Sequence, residues 1–302
     1  MDWGLGHASR SVPLIRDLQQ KGHEVILASA GQAFAFLKNY FPELLVLEKP
    51  AYRIRFSTKV SMSWMLLFQS RAFLKTIRDE HKWLQKILPQ YQFDEVYSDN
   101  CYGLYHQTIS STIITHQLMV KCPKGLTFLE NFFHEQILKR TTKFDRCWIP
   151  DYEGDNNLSG DLSHKYPLPE NASFIGPLSR FERRPKEDFI KQYEFCAILS
   201  GPEPLRTELE NQCIDLFQRT EKKCLIIRGK PENQECLKVE GLDIYNHLSD
   251  EEFREKVTQS DKIICRSGYS TIMDLYALNK RAIFIPTPGQ TEQEYLAKHH
   301  SG

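Results

Sequence analysis

The amino-acid sequence predicts an α/β protein of two Rossmann-like, doubly wound domains that face each other across a cleft. Three observations carry this expectation. At 302 residues the chain is longer than a single hydrophobic core usually grows, so two compact domains are expected. Apolar runs of strand length, such as residues 24–30 and 224–228, alternate with stretches of helical periodicity, the pattern of parallel sheets covered on both faces. Phe174-Ile-Gly-Pro-Leu-Ser-Arg-Phe181 then interrupts that alternation with a Gly-Pro break before a charged stretch, residues 182–191, which divides the chain into domains 1–177 and 178–302.

Taken in order, the first helix is expected over residues 8–21, with Val12, Ile15 and Leu18 on one face and Gly22 placed to stop it. A strand over 24–30 follows. The second half reads as strand 195–200, helix 205–218, strands 224–228 and 243–246, helix 250–258, strand 262–266, helix 271–278 and strand 281–286. A glycine-rich turn normally follows a buried strand, yet only Met1, Asp2 and Trp3 precede Gly4. The first strand is therefore expected to be missing, as in a fragment or a misplaced start, and Lys298-His-His-Ser-Gly302 brings no closing element.

Bulk properties narrow the function. Lys plus Arg and Asp plus Glu are equal at 39 each, so no global basic field points to nucleic acid. The 8 cysteines show no Cys-x-x-Cys pair or finger spacing, which fits buried, reduced thiols and a cytoplasmic location. No segment reaches the roughly 18–20 apolar residues that cross a bilayer. Residues 49–92 hold 9 Lys or Arg against 2 acids, interleaved with Tyr52, Phe56, Trp64, Phe68, Phe73 and Trp83. An amphipathic helix pair with a solvated basic face is the favoured reading there. Peripheral contact with the inner face of a membrane, anchored by residues 64–68, is the alternative.

Four segments have the residue types of a ligand site. Gly4-Leu-Gly-His-Ala-Ser-Arg10 sets Gly4, Gly6 and His7 where a helix begins, so that free N–H groups and the positive helix end can meet a polar or anionic ligand. An imidazole there is disfavoured as a cation and can accept a proton from an attacking hydroxyl; capping or packing of the turn is the other reading of His7. Ser200-Gly-Pro-Glu-Pro-Leu-Arg206 and Arg228-Gly-Lys230 close successive strands at the end where open α/β sheets bind ligands, and Ser200, Gly201 and Arg228 can face a diphosphate. In Cys265-Arg-Ser-Gly-Tyr-Ser-Thr-Ile-Met-Asp-Leu275 a strand ends at Arg266, Gly268 allows a tight turn, Ser270 and Thr271 can cap a helix, and Asp274 is placed to hold a ribose diol. Pro286-Thr-Pro-Gly-Gln-Thr-Glu-Gln293 then offers Gln290, Glu292 and Gln293 to sugar hydroxyls. Asp99 and His116 follow strand-like runs, where lining of the acceptor side and capping of turns are equally good accounts.

The order of these motifs resembles family 28 glycosyltransferases of the GT-B fold, which include the enzyme adding N-acetylglucosamine to a lipid-linked cell-wall precursor. The resemblance is dense over residues 1–31 and 195–298 and most specific over 264–275. It implies that His7 is the active-site histidine and that Gly4 and Gly6 form the flexible glycine loop. It further implies that Ser200, Gly201, Arg228, Ser270 and Thr271 surround the diphosphate, that Asp274 holds the ribose, and that Glu292 and Gln293 hold the donor sugar. The implied reaction is inverting transfer from a nucleotide-sugar, uridine-based, to an acceptor hydroxyl, with no metal and no other cofactor. Competing readings are a non-hydrolysing sugar-nucleotide epimerase, for which Glu292 and Glu294 supply acids, and a non-catalytic nucleotide-sugar binding protein.

Overall fold

In the computed structural model the described residues are 5–50, 62–123, 125–185, 189–231, 233, 235 and 237–301, with 62–70 described as backbone alone. The chain divides into two compact units, Met1–Leu178 and Ser179–Gly302.

In the N-terminal unit, α1 (Gly6–Gln20) starts two residues earlier than its apolar face suggests. Ala8, Val12 and Ile15 are buried against Leu27 of β1 (Leu27–Ser29) and against Ala33, Phe36 and Leu37 of α2 (Gly31–Tyr40). Strand β1 is shorter than the expected 24–30 and, among the described residues, pairs in parallel only with β2 (Val46–Glu48). The basic, aromatic stretch then forms one helix, α3 (Met62–Tyr91), where a helix pair was expected. Phe73 and Trp83 pack on two apolar clusters, as an amphipathic helix requires; Tyr52, Phe56 and the side chains of Trp64 and Phe68 lie outside the described residues.

Strands β3 (Glu95–Asp99) and β4 (Ser110–Ile114), helix α4 (Glu130–Thr141), strand β5 (Arg146–Ile149), the short helix α5 (Asp161–His164) and strand β6 (Ala172–Phe174) complete the unit. The four strands form a parallel sheet in the order β3-β4-β5-β6. Its carboxyl ends carry Asp99 and, just past β4, His116.

The C-terminal unit runs β7 (Tyr193–Ile198), α6 (Leu205–Phe217), β8 (Cys224–Ile227), β9 (Leu242–Tyr245), α7 (Asp250–Thr258), β10 (Ser260–Cys265), α8 (Tyr269–Ala277), β11 (Ile283–Phe284) and α9 (Thr291–His299). All five strands are parallel in the order β11-β10-β7-β8-β9. Alternate residues of β7 serve two cores. Cys196 and Ile198 join Leu225, Ile263 and Phe253, whereas Ala197 and Leu199 join Leu209, Cys213 and Phe217 of α6. Burial on both faces explains why these strands read as continuous apolar runs. Because β8 and β9 lie to one side of β7 and β10 to the other, the order reverses between β7 and β10. The crevice at the carboxyl ends of those two strands is where a doubly wound sheet receives its ligand.

The seven cysteines among the described residues are all free and buried. Among the described residues no helix is long and apolar enough to cross a membrane.

Candidate active site

The N-terminal unit gathers four polar side chains from three elements. His7 lies in the first turn of α1, and its Nδ1 is 3.1 Å from Oδ1 of Asp99 at the end of β3. Arg10, one turn further along α1 and only 2 % exposed, donates from Nε to Oδ2 of the same carboxylate at 2.7 Å, and a terminal nitrogen donates to Oδ1. Its other terminal nitrogen meets Nδ1 of His116 at 3.1 Å. Thus His7, Asp99 and His116, separated by up to 109 positions as numbered here, are joined through Arg10.

The protonation states follow from this geometry. Burial pulls the Asp99 carboxyl upward, but Arg10 and then His7 hold it well below the usual carboxylate range. An ionised carboxylate can only accept, so His7 Nδ1 must donate, and in the neutral ring the lone pair is on Nε2. Burial, and after it the Arg10 guanidinium, lowers the His7 pKa from its ordinary 6.5, outweighing the raising pull of Asp99. His7 is therefore a neutral imidazole near pH 7 with Nε2 able to take a proton. A guanidinium cannot accept, so Nδ1 of His116 does, and the proton of that neutral ring sits on Nε2. Gly6 is the first residue of α1; Gly4 lies outside the described residues.

In the C-terminal unit the site is made mainly of backbone. After β7, Ser200 is exposed and Gly201 adopts φ +105°, a conformation that favours glycine. After β10, helix α8 opens at Tyr269 with Gly268 as its N-cap and no side-chain cap hydrogen bond. Ser270 and Thr271 are therefore first-turn residues and do not cap the helix as expected. Gly268 itself has φ −70° and ψ 138°, which any residue can adopt, so the turn does not require a glycine. What glycine provides is a helix end with no side chain in front of the first-turn N–H groups.

Arg228, expected to face the diphosphate, and Arg266, at the strand end of the donor segment, both bond to protein groups. The Arg228 guanidinium bonds to both oxygens of Glu210 on α6 and, at 2.8 Å, to Oδ1 of Asn246; Arg206 holds the same Glu210 at 2.8 Å. Arg266 donates to the carbonyls of Ile285, Pro286 and Leu205 at 3.1, 2.9 and 2.8 Å, tying the ends of β10, β11 and the start of α6 together. Both guanidiniums are buried; all three nitrogens of Arg228 and both terminal nitrogens of Arg266 bond to the protein, whereas the buried Arg266 Nε has no hydrogen-bond partner among the described residues. Gln293, in the first turn of α9 beside Glu292, also has a fixing role: its Oε1 accepts from the Thr287 N–H at 2.8 Å and its carbonyl accepts from Ser267 Oγ at 2.7 Å.

Asp274 sits within α8, buried, with Oδ1 accepting from Ser179 Oγ at 2.6 Å and Oδ2 3.4 Å from Arg180 Nε. Burial raises its pKa, opposed by Arg180 and Ser179. Arg180 also lies 4.8 Å from the ring centres of both Phe181 and Phe253 and pairs with Asp250 at 3.0 Å. The carboxylate expected to hold a ribose is thus already oriented by the segment that opens this unit.

Arg10 is the residue that sequence reasoning missed. Its signal was present: it falls three positions after His7, on the adjoining helical face, in a stripe otherwise buried through Ala8, Val12 and Ile15. A buried arginine needs a carboxylate, and Asp99 supplies it.

Comparison with known proteins agrees with this architecture. Residues 205–300 match the model described as the glycosyltransferase family 28 C-terminal domain. Among curated proteins no sequence match is found. Among solved structures, the glycosyltransferase of kitacinnamycin is 15 % identical with a TM-score of 0.60, over 97 % of this chain and 81 % of that one. The spinosyn rhamnosyltransferase SpnG, solved with thymidine diphosphate, is 10 % identical with a TM-score of 0.62, over 96 % and 80 %. SsfS6 of Streptomyces sp. SF2575, also solved with thymidine diphosphate, is 12 % identical with a TM-score of 0.57, over 98 % and 84 %. The chain shares the GT-B fold of these glycosyltransferases.

Proposed function

We propose that the enzyme is an inverting, metal-independent glycosyltransferase that moves a sugar from a uridine diphosphate sugar to an acceptor hydroxyl. The observation that carries this reading is the His7–Asp99 pair: a neutral imidazole oriented by an ionised carboxylate, with Nε2 left as the base. The acceptor hydroxyl gives its proton to Nε2 as its oxygen attacks the anomeric carbon, and the glycosidic bond to the diphosphate breaks on the opposite face. Charge on the departing diphosphate is taken up by the first-turn N–H groups of α8, joined by the hydroxyls of Ser270 and Thr271 and the turn at Ser200 and Gly201. In this reading Asp274 accepts from the ribose diol, and Glu292 and Gln293 bond to the donor sugar.

Two similar structures were solved with thymidine diphosphate, which supports a nucleoside diphosphate at this crevice; uridine comes from the resemblance of the sequence motifs. A lipid-linked alcohol is the acceptor class to be tried first. The test is release of uridine diphosphate from uridine diphosphate N-acetylglucosamine, with and without EDTA, against a panel of lipid-linked and soluble acceptors. Acceptor-dependent, EDTA-insensitive release with inversion at the anomeric carbon is expected. Deuterium incorporation and epimer formation from donor alone in deuterated water would overturn the transferase reading in favour of epimerisation.

A further inference from the structure

The His7–Asp99 pair leaves Arg10 without a stated purpose, and its setting is unusual for a structural arginine. It is 2 % exposed, and it spends Nε and one terminal nitrogen on the two oxygens of Asp99 and its other terminal nitrogen on His116. A carboxylate beside an imidazole, with no compensating cation, favours the imidazolium and so ties up the base. A guanidinium on the far side of that carboxylate offsets this pull while fixing the plane of the carboxylate, because its fork matches both oxygens.

We propose that Arg10 is a positioning residue of the reaction centre, acting through Asp99 to hold His7 in the Nδ1–H tautomer and to keep its Nε2 unprotonated at neutral pH. The proposal rests on the reading of His7 as the base. The groups facing one another here are His7 and Arg10 from α1, Asp99 from the end of β3, and His116 from beyond β4. The direction of the His7 shift agrees, since Arg10 ranks after burial among its lowering causes and Asp99 works against both. His116, by accepting from the remaining nitrogen, fixes the rotation of the guanidinium and so transmits order from β4 to the carboxylate.

The test compares wild type with Arg10→Met, Arg10→Lys, Asp99→Asn and the Arg10→Met/Asp99→Asn double variant. It follows the pH dependence of donor turnover and the ring nitrogen resonances of His7 by nuclear magnetic resonance. In wild type, His7 is expected to show the Nδ1–H tautomer and to titrate below the ordinary histidine range. In Arg10→Met its titration and the acid limb of kcat are both expected to move up by about one pH unit or more. Turnover near neutral pH should fall about tenfold and partly recover at higher pH, with donor KM unchanged. Arg10→Lys, which keeps the charge but not the two-oxygen grip, is expected to restore the acid limb while recovering only part of the rate, and it serves if Arg10→Met does not fold. Adding Asp99→Asn should remove most of the effect of Arg10→Met, because both charges are then absent. If His7 titrates alike in wild type and a folded Arg10 variant, or if the variant loses activity equally at every pH, the positioning role is wrong. Retention of full activity by His7→Ala overturns instead the base reading beneath it.

Discussion

The two units build their candidate site regions from different materials. In the N-terminal unit the chemistry lies in charged side chains brought from positions 7, 10, 99 and 116, each defined by its partner across the sheet ends. In the C-terminal unit the candidate site consists of main-chain turns and one helix end without a side-chain cap, while the charged residues nearby brace the protein. The comparison teaches that an arginine at a strand end in such a sheet is not by itself evidence of phosphate binding. What matters is whether its hydrogen bonds are already taken, and those of Arg228 are, as are those of both terminal nitrogens of Arg266.

The contrast can be broken at either end. The largest effect is expected from His7→Ala, which removes the base and should lower kcat by about 10²–10⁴-fold, read as initial rates of nucleotide release, with nucleotide affinity intact. Next, Arg228→Met is expected to cost about 3 kcal/mol of folding stability in denaturant titration, because Glu210 loses one of its two buried partners. If Arg228→Met instead keeps its stability and loses nucleotide affinity, the guanidinium is a ligand group and not a brace. Gly268→Val places a branched side chain before the α8 helix end in a backbone conformation that valine tolerates. Calorimetry should show uridine diphosphate binding weakened about 10–100-fold with little change in melting temperature, the cost of disturbing hydrogen bonds to a charged group.

The smallest effect is in pH. Because burial and Arg10 lower the His7 pKa from 6.5, its base form persists below the pH at which an ordinary histidine charges. Activity should therefore fall only as the pH drops through that lowered value, and an acid limb above 6.5 in the rate profile would contradict the assignment. The same shift has a sign for stability. A histidine disfavoured as a cation in the folded state contributes stability above its unfolded pKa, which is lost as pH falls toward the folded one.

The division between the units also explains what the sequence revealed. The C-terminal elements were legible because their strands are buried on both faces and their site is local: Gly268, Ser270 and Thr271 belong to one turn, and α7 begins at the expected Asp250 with a complete Ser249–Glu252 capping box. Strand β11 shrank to Ile283 and Phe284, as suits a half-exposed edge with few partners. In the N-terminal unit Asp99 and His116 could be read as turn caps or as site residues, and no local spacing decides between these. Their partner Arg10 is 89 positions from Asp99 and 106 from His116, so only the parallel pairing of β3 with β4, and the lie of α1 against them, makes the cluster visible. Likewise the bracing of Arg228 depends on Glu210, which reads from sequence as an ordinary helix-surface acid.

The most direct measurement of this division of labour is isothermal titration of uridine diphosphate into the whole chain as wild type, His7→Ala and Gly268→Val. Equal binding by wild type and His7→Ala, with strongly weakened binding by Gly268→Val, is expected if the C-terminal unit holds the nucleotide and the N-terminal unit supplies the base. Loss of binding in His7→Ala together with unchanged binding in Gly268→Val would contradict it.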